Sequence, residues 1–230
     1  MPPKTITKIE QKQIRLARGV VKSTAWLVLC LAFVMLMAWH WGGAELAARI
    51  PGFFQMKYNT SLALAAGGAG LLSALQPSKR YTLLAGGFLL FIGGVTLTEY
   101  LTGLNLGIDQ LMLKDLYSAS NPHPGRMAPG SALAFIAAAI CLFLNAKDVQ
   151  HPSRLAALEL LGFLVFALGA EGLIGHFQQL TFDYGWGVYA RMSPQAAIGF
   201  VLLGLGFMSL AWHHRGMRAD RMPLWLPALL

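Results

Sequence analysis

Apolar residues in this chain gather in long unbroken blocks rather than at every second or every third and fourth position, and short polar stretches separate the blocks. Six blocks cover roughly residues 23–43, 59–75, 81–101, 129–144, 155–177 and 194–212. A helix needs about 20 apolar residues to cross the hydrocarbon core of a bilayer. The pattern therefore predicts an all-α integral membrane bundle of six complete spans. A seventh block begins at Pro223 and runs to Leu230. It reads as the start of a further span, and so of a longer chain, with a short amphipathic tail as the alternative.

Within the blocks one short pattern recurs. Arg126-Met127-Ala128-Pro129-Gly130-Ser131-Ala132 leads into one apolar run and Arg191-Met192-Ser193-Pro194-Gln195-Ala196-Ala197 into another. Met56-Lys57-Tyr58-Asn59-Thr60-Ser61-Leu62 is a weaker third version. A second marker, a glutamate near the end of the preceding block, occurs at Glu99 and Glu171. Met56 to Met127 is 71 residues and Glu99 to Glu171 is 72. Two independent markers at one period indicate an internal duplication, here of helix pairs, with the second and third spans corresponding to the fourth and fifth. Pro129 and Pro194 suit the first turn of a helix, where no N–H is required. Met127 and Met192 read as flexible apolar plugs beneath the outer loops. The clustered Gly67, Gly68 and Gly70 predict that the second span lies inside the bundle, because small residues let helices approach closely in lipid.

Charge supplies the orientation. Only 12% of the 230 residues are charged, against about 25% in soluble domains. If the N-terminus and every second loop share one side, that side holds Lys4, Lys8, Lys12, Arg15, Arg18, Lys22, Lys79, Arg80, Lys147, Arg154, Arg215, Arg218 and Arg221. The other side holds only Arg49, Lys57, Lys114, Arg126 and Arg191. The positive-inside rule then makes the N-terminus cytoplasmic. The net charge of +8 answers to topology and anionic lipid, and nucleic acid is not a partner. Residues 1–22 form a basic cytoplasmic segment, read as an interfacial helix or a disordered basic tail. Residues 23–213 form the six-span domain, and 214–230 a cytoplasmic turn with the start of a further segment. Cys30 and Cys141 lie inside spans and imply neither a disulfide framework nor a zinc site.

The sequence contains no P-loop, HExxH, strand-borne GxGxxG, nucleophile elbow or EF-hand loop, and no catalytic or metal-binding residues are assigned. Polar groups instead collect toward the outer side: His40, Glu99, Asp109, His123, Arg126, Glu171, His176, Asp183 and Arg191, among aromatic residues that include Trp39, Trp41, Tyr100, Tyr184, Trp186 and Tyr189. An aromatic-lined cavity with a few charged groups is the form of a small-molecule site; an ordinary aromatic belt with loop charges is the plain alternative. The candidate ligand-binding set is Glu99, Arg126, Glu171, Arg191, His176, His40, Trp186 and Tyr184. Each glutamate sits near the outer end of a span and each arginine just before the next, so Glu99 is expected to meet Arg126 and Glu171 to meet Arg191. A carboxylate at that depth is costly without a partner. The cytoplasmic half carries no comparable mixture. Residues 104–116 are expected as a short surface helix, Glu159 as a helix-dipole residue, and His213-His214 as a water-exposed cap.

The Arg-Met-x-Pro pattern followed by Ser or Gln, Ala and an apolar run resembles the MASE-like membrane input regions that precede PAS, histidine kinase or diguanylate cyclase modules in bacterial signalling proteins. The resemblance covers Met56 to about Trp212 and is carried by Arg126–Ala132, Arg191–Ala197 and the Glu99 and Glu171 segments. The first copy departs from it, with Lys57-Tyr58-Asn59 in place of the arginine and proline. It implies a sensor domain in the bacterial inner membrane that takes a small-molecule or membrane-borne signal near the outer face, works as a homodimer in the lipid bilayer, and drives a kinase or cyclase output beyond Leu230. It identifies no cofactor and carries over no catalytic residue. Three other readings stay open: a transporter or channel, a haem- or quinone-binding redox subunit with His40 and His176 as ligands, and a structural subunit of a larger complex.

Overall fold

The computed structural model describes residues 8–41, 56–115, 123–147, 151–177 and 192–217. These residues form six α-helices and no strand: α1 Lys8–His40, α2 Tyr58–Ala74, α3 Arg80–Thr102, α4 Pro129–Ala146, α5 Pro152–Phe177 and α6 Pro194–Met217. Each apolar block is one helix, and the chain is an all-helical bundle of membrane character. All but α2 are long and apolar enough to cross a membrane. α2 has 17 residues, a length of about 26 Å at 1.5 Å per residue. The expected seventh segment lies outside the described residues.

Two predicted elements take another form. The basic N-terminal stretch and the first span are not separate helices: α1 runs unbroken from Lys8 to His40. One stripe of buried residues, Ala17, Val21, Thr24, Val28, Ala32 and Met35, continues through the 22/23 boundary in steps of three and four, so a single helical face stays in contact throughout. The stripe packs on α2 and α6. The predicted surface helix over 104–116 is absent from its described part, 104–115, which is a chain of turns. Gly103 ends α3 in the left-handed region at φ 71°, its N–H donating to the Glu99 carbonyl at 3.0 Å, and Gly107 repeats a positive φ of 78°. Two such reversals within five residues leave no room for a helical run.

Each helix packs against its sequence neighbours, and α6 closes the ring on α1. α2, α4 and α6 also meet one another at the centre, while α1, α3 and α5 form the outer layer. The centre follows from composition. α2 and α4 are rich in Gly and Ala, and small residues allow the close approach that holds helices together in lipid. A Cβ on Gly67 would meet the Leu203 side chain at 3.1 Å, and one on Gly199 would meet Leu64 at 2.7 Å. The Phe135 and Phe200 rings pack edge to face with centroids 4.8 Å apart, a favoured aromatic geometry.

The three copies of the short pattern introduce these three inner helices in one register. The first helical residue is Tyr58, Pro129 or Pro194, in each case two positions after Met56, Met127 or Met192. Eight positions after the methionine stand Leu64, Phe135 and Phe200; fifteen after it stand Leu71, Leu142 and Phe207. All six are fully buried. Equivalent positions of the pattern thus supply successive layers of the core. Met56 and Met127 are themselves buried, and Met192 packs against Gly172 and Gly130.

In both the α3–α4 and the α5–α6 pair a glycine of the first helix meets a backbone carbonyl of the second. A Cβ on Gly93 would lie 2.7 Å from the Ala132 carbonyl oxygen, and one on Gly169 would lie 2.7 Å from that of Ala197. Gly94, beside Gly93, has nothing within 4 Å of such a Cβ. Gly93→Ala is therefore expected to destabilise the detergent-solubilised protein by about 1–3 kcal/mol, the usual range for forced overpacking. Gly94→Ala should be neutral or gain about 0.5–1 kcal/mol from reduced backbone freedom in the unfolded chain. Thermal unfolding of the two variants beside the parent checks the contrast; equal effects would mean that the α3–α4 contact is looser than described.

Candidate functional site

The densest set of buried charges lies where α3 ends and α4 begins. His123-Pro124-Gly125-Arg126 makes a reverse turn in which the Arg126 N–H donates to the His123 carbonyl at 3.2 Å. Gly125 occupies φ 81°, and a Cβ there would lie 2.5 Å from the Asp109 carbonyl oxygen. Proline at the second position and glycine with positive φ at the third suit this turn. It delivers the Arg126 side chain inward, onto the end of α3.

Arg126 sits between two carboxylates. Its Nε donates to Asp109 Oδ2 at 2.8 Å and lies 3.4 Å from Glu99 Oε2. A terminal nitrogen reaches the Leu104 carbonyl at 3.4 Å. The guanidinium lies 5.4 Å from the centre of the Tyr100 ring, and the Tyr100 hydroxyl donates to the Met127 carbonyl at 3.0 Å. Glu99, Asp109 and Arg126 are 0%, 7% and 3% exposed, so water screens none of these contacts and the charges must be met by protein. Glu99 Oε1 accepts the Leu106 N–H at 2.7 Å. The Asn59 amide, at the start of α2, donates to the carbonyls of Ile108 and Asp109 at 2.8 and 3.3 Å. One side chain from an inner helix thus fixes the segment that carries Asp109.

A second ion pair joins the same elements. Lys57 Nζ donates to Asp115 Oδ2 at 2.7 Å, and that oxygen also accepts the Gly125 N–H at 2.9 Å. Beside it, the Trp39 indole donates to the Met56 carbonyl at 3.1 Å, and Nε2 of His40 lies 3.2 Å from the Tyr58 hydroxyl. The Lys57-Tyr58-Asn59 stretch, which sets the first copy of the pattern apart, is therefore where α2 fastens the 103–115 segment and the end of α1.

Of the candidate residues, Glu99 and Arg126 come together as expected. The nearer partner of Arg126 is Asp109, which the sequence marked only as one outer polar residue among several. His40 stands at the adjoining α1–α2 contact. Its Nε2, an axial ligand in the haem reading, is directed at Tyr58. Glu171 and His176 are exposed on α5. Glu171 lies two residues beyond Gly169 and Glu99 six beyond Gly93. Measured from the matched glycine contacts, the two glutamates differ by about 6 Å along their helices. Arg191, Tyr184 and Trp186 lie outside the described residues, as does any meeting of Glu171 with Arg191.

The opposite end of the bundle, where α4 and α6 end, is more polar than the sequence suggested. Asn145 of α4 donates to the Ala74 carbonyl of α2 at 3.1 Å, and its Oδ1 lies 2.8 Å from His214 Nε2 of α6. His213 reaches the Ile14 carbonyl of α1 at 3.4 Å. Arg215 pairs with Glu159 at 2.6 Å, so Glu159 serves an ion pair between α5 and α6. The two histidines are half-buried connectors rather than an exposed cap. Ser73 and Thr82 share a hydrogen bond of 2.8 Å across the α2–α3 turn. Lys79, which donates to the Ala74 carbonyl at 3.0 Å, has its ammonium pKa lowered by burial.

Among the described residues no three His, Cys, Asp or Glu side chains converge as metal ligands. No family model, no curated protein and no solved structure matches the chain.

Removing Arg126 strands two buried carboxylates. Arg126→Ala is therefore expected to cost about 3–5 kcal/mol, the range for breaking a buried pair. Combining Arg126→Met with Glu99→Gln and Asp109→Asn should recover most of that loss, since the three positions then carry no charge. Thermal unfolding in detergent reads both, and a triple variant no more stable than Arg126→Ala would show that the charges are not the cause. At the other end, Asn145→Leu takes its partner from His214 and leaves the Ala74 carbonyl with Lys79 alone. A loss of about 1–3 kcal/mol is expected; an unchanged melting temperature would mean that this connection contributes nothing to stability.

Proposed function

We propose that this chain is the membrane-embedded input domain of a bacterial signal-transduction protein. In this reading six helices span the inner membrane with the N-terminus in the cytoplasm, and the second and third helices descend from the same duplicated unit as the fourth and fifth. A small-molecule or membrane-borne signal acts at the outer end, and the response passes to a cytoplasmic output of the kinase or cyclase kind. The observation that carries it is the buried Glu99–Asp109–Arg126 cluster, held against α2, α3 and α4 at the end assigned outward by the basic residues. The resemblance of the repeated Arg-Met-x-Pro pattern to MASE-like regions points the same way. A homodimer accords with that resemblance.

A signal changes a bundle only if it binds two of its packings with different affinity. The cluster is suited to this because its charges come from three separate elements, and the inner helices connect it to the Asn145–His214 contact at the far end. The relay is tested by hydrogen exchange on the protein in nanodiscs. Arg126→Lys should alter amide protection both around 103–115 and at the last turns of α4 and α6. A change confined to the outer end would sink the relay. Orientation is tested separately: a cysteine replacing Ser120 should react with an impermeant reagent from outside, and one replacing Ser78 should not. The reverse pattern would move the site to the cytoplasmic face.

A further inference from the structure

The outer cluster holds an unequal number of charges. Glu99 and Asp109 supply two carboxylates, Arg126 one guanidinium, and all three are more than nine-tenths buried. Lys57 and Asp115 already balance one another at 2.7 Å. With both carboxylates ionised the cluster carries one excess negative charge away from water, a costly arrangement. The hydrogen bonds show the same deficit. Glu99 Oε2 and Asp109 Oδ1 are buried and have no hydrogen-bond donor, and neither has the buried hydroxyl oxygen of Thr96, one turn before Glu99 on α3. The carboxyl groups of Glu99 and Asp109 meet on one nitrogen of Arg126, at 3.4 and 2.8 Å, yet two carboxylates have no hydrogen to share.

We infer that Glu99 and Asp109 together bind one proton, so that the outer cluster is a proton-binding site. A single proton answers both deficits. It cancels the excess charge against Arg126, and it turns one carboxyl group into a donor to the other. A metal ion fits less well, because the Arg126 guanidinium already occupies the cationic position between the two carboxylates. The other titratable or charged groups on the surrounding elements are Tyr100 on α3, Lys114 and Asp115 on the connecting segment, His123 before α4, Lys57 and Tyr58 at the start of α2, His40 on α1, and Glu171 and His176 on α5. Tyr100 is spent on the Met127 carbonyl and the Arg126 face. None of these donates a hydrogen bond to the two orphaned oxygens. Loss of the proton would set like charges against each other between α3 and the segment that Asn59 ties to α2. This names a ligand for the cluster of the sensor reading, yet proton occupancy is read on the purified protein whatever output it drives.

The sign of the pH effect follows from proton counting. Unfolded, both carboxyl groups face water and are ionised at neutral pH. Folded, the pair retains one proton. The folded state then binds more protons, and stability falls as pH rises through the titration of the pair. Infrared difference spectroscopy of the intact protein in nanodiscs, alkaline against neutral, reads protonated carboxyl groups through their C=O stretch. One such signal is expected at neutral pH, lost at alkaline pH, and absent from both Glu99→Gln and Asp109→Asn. Each variant removes the excess charge, so the melting temperature should fall with rising pH in the parent and stay level in the variants. The proposal is overturned if the parent lacks the signal, if both variants keep it, or if the parent's melting profile is level. It is overturned also if sodium, against a potassium control, stabilises the parent at alkaline pH and neither variant, since the excess charge would then belong to a metal-cation site.

Discussion

The close approach of α2, α4 and α6 is the constraint on which the other contacts depend. Lipid tails are as apolar as leucine, so helices of this composition gain nothing from water exclusion when they meet in a bilayer. What remains is surface complementarity, and it is available only where a side chain is missing. Gly67 receives Leu203, Gly199 receives Leu64, and Gly70 receives Leu142. Each contact joins two of the three inner helices. The outer helices then fit around a centre that is already closed, with Gly93 and Gly169 admitting the backbones of α4 and α6. Their other faces carry large exposed apolar groups, among them Phe33, Phe91, Leu160 and Phe163, as suits surfaces that meet lipid.

Polarity is confined to the two ends of this centre. Between them the layers are apolar: Leu64, Phe135 and Phe200, then Leu71, Leu142 and Phe207. At one end Asn59, Arg126 and the carboxylates tie α2, α3 and α4. At the other end Asn145, His214 and the Ala74 carbonyl tie α2, α4 and α6. Directional bonds at both ends of a tightly packed middle favour discrete packings over gradual deformation. In the sensor reading, this is the route by which a change of charge at one end would reach the other. The same arrangement would also serve a rigid scaffold, and the two differ in whether the ends respond together.

Much of the architecture was legible in the sequence because helix formation in an apolar chain is a local matter. Blocks of about 20 apolar residues must satisfy their backbone groups internally and so become helices. The prolines at 129 and 194 marked the first helical residue, and the glycines of 67–70 marked an inner helix. Glu99 and Arg126 could be paired because both flank one connection, and a buried carboxylate needs a partner. The glutamate spacing of 72 residues was less informative: Glu99 is buried and Glu171 exposed, since a glutamate can occupy a helix end for more than one reason.

Tertiary structure alone decided which polar groups meet across long separations. Asp109 became the nearer partner of Arg126 because two glycines with positive φ fold 103–115 back over the end of α3, a path that hydropathy does not encode. His214 became a connector because α6 lies beside Asn145, 69 positions earlier. The unbroken α1 arose because its buried stripe meets α2 and α6 on both sides of residue 22, although charge alone divided the chain there. Periodicity and composition therefore determined that each of the six apolar blocks is a helix, which depends on the segment's own backbone and solvent. The pairing of charges, and the single unbalanced carboxylate, depend on which distant segments share a space, and only the folded chain sets that.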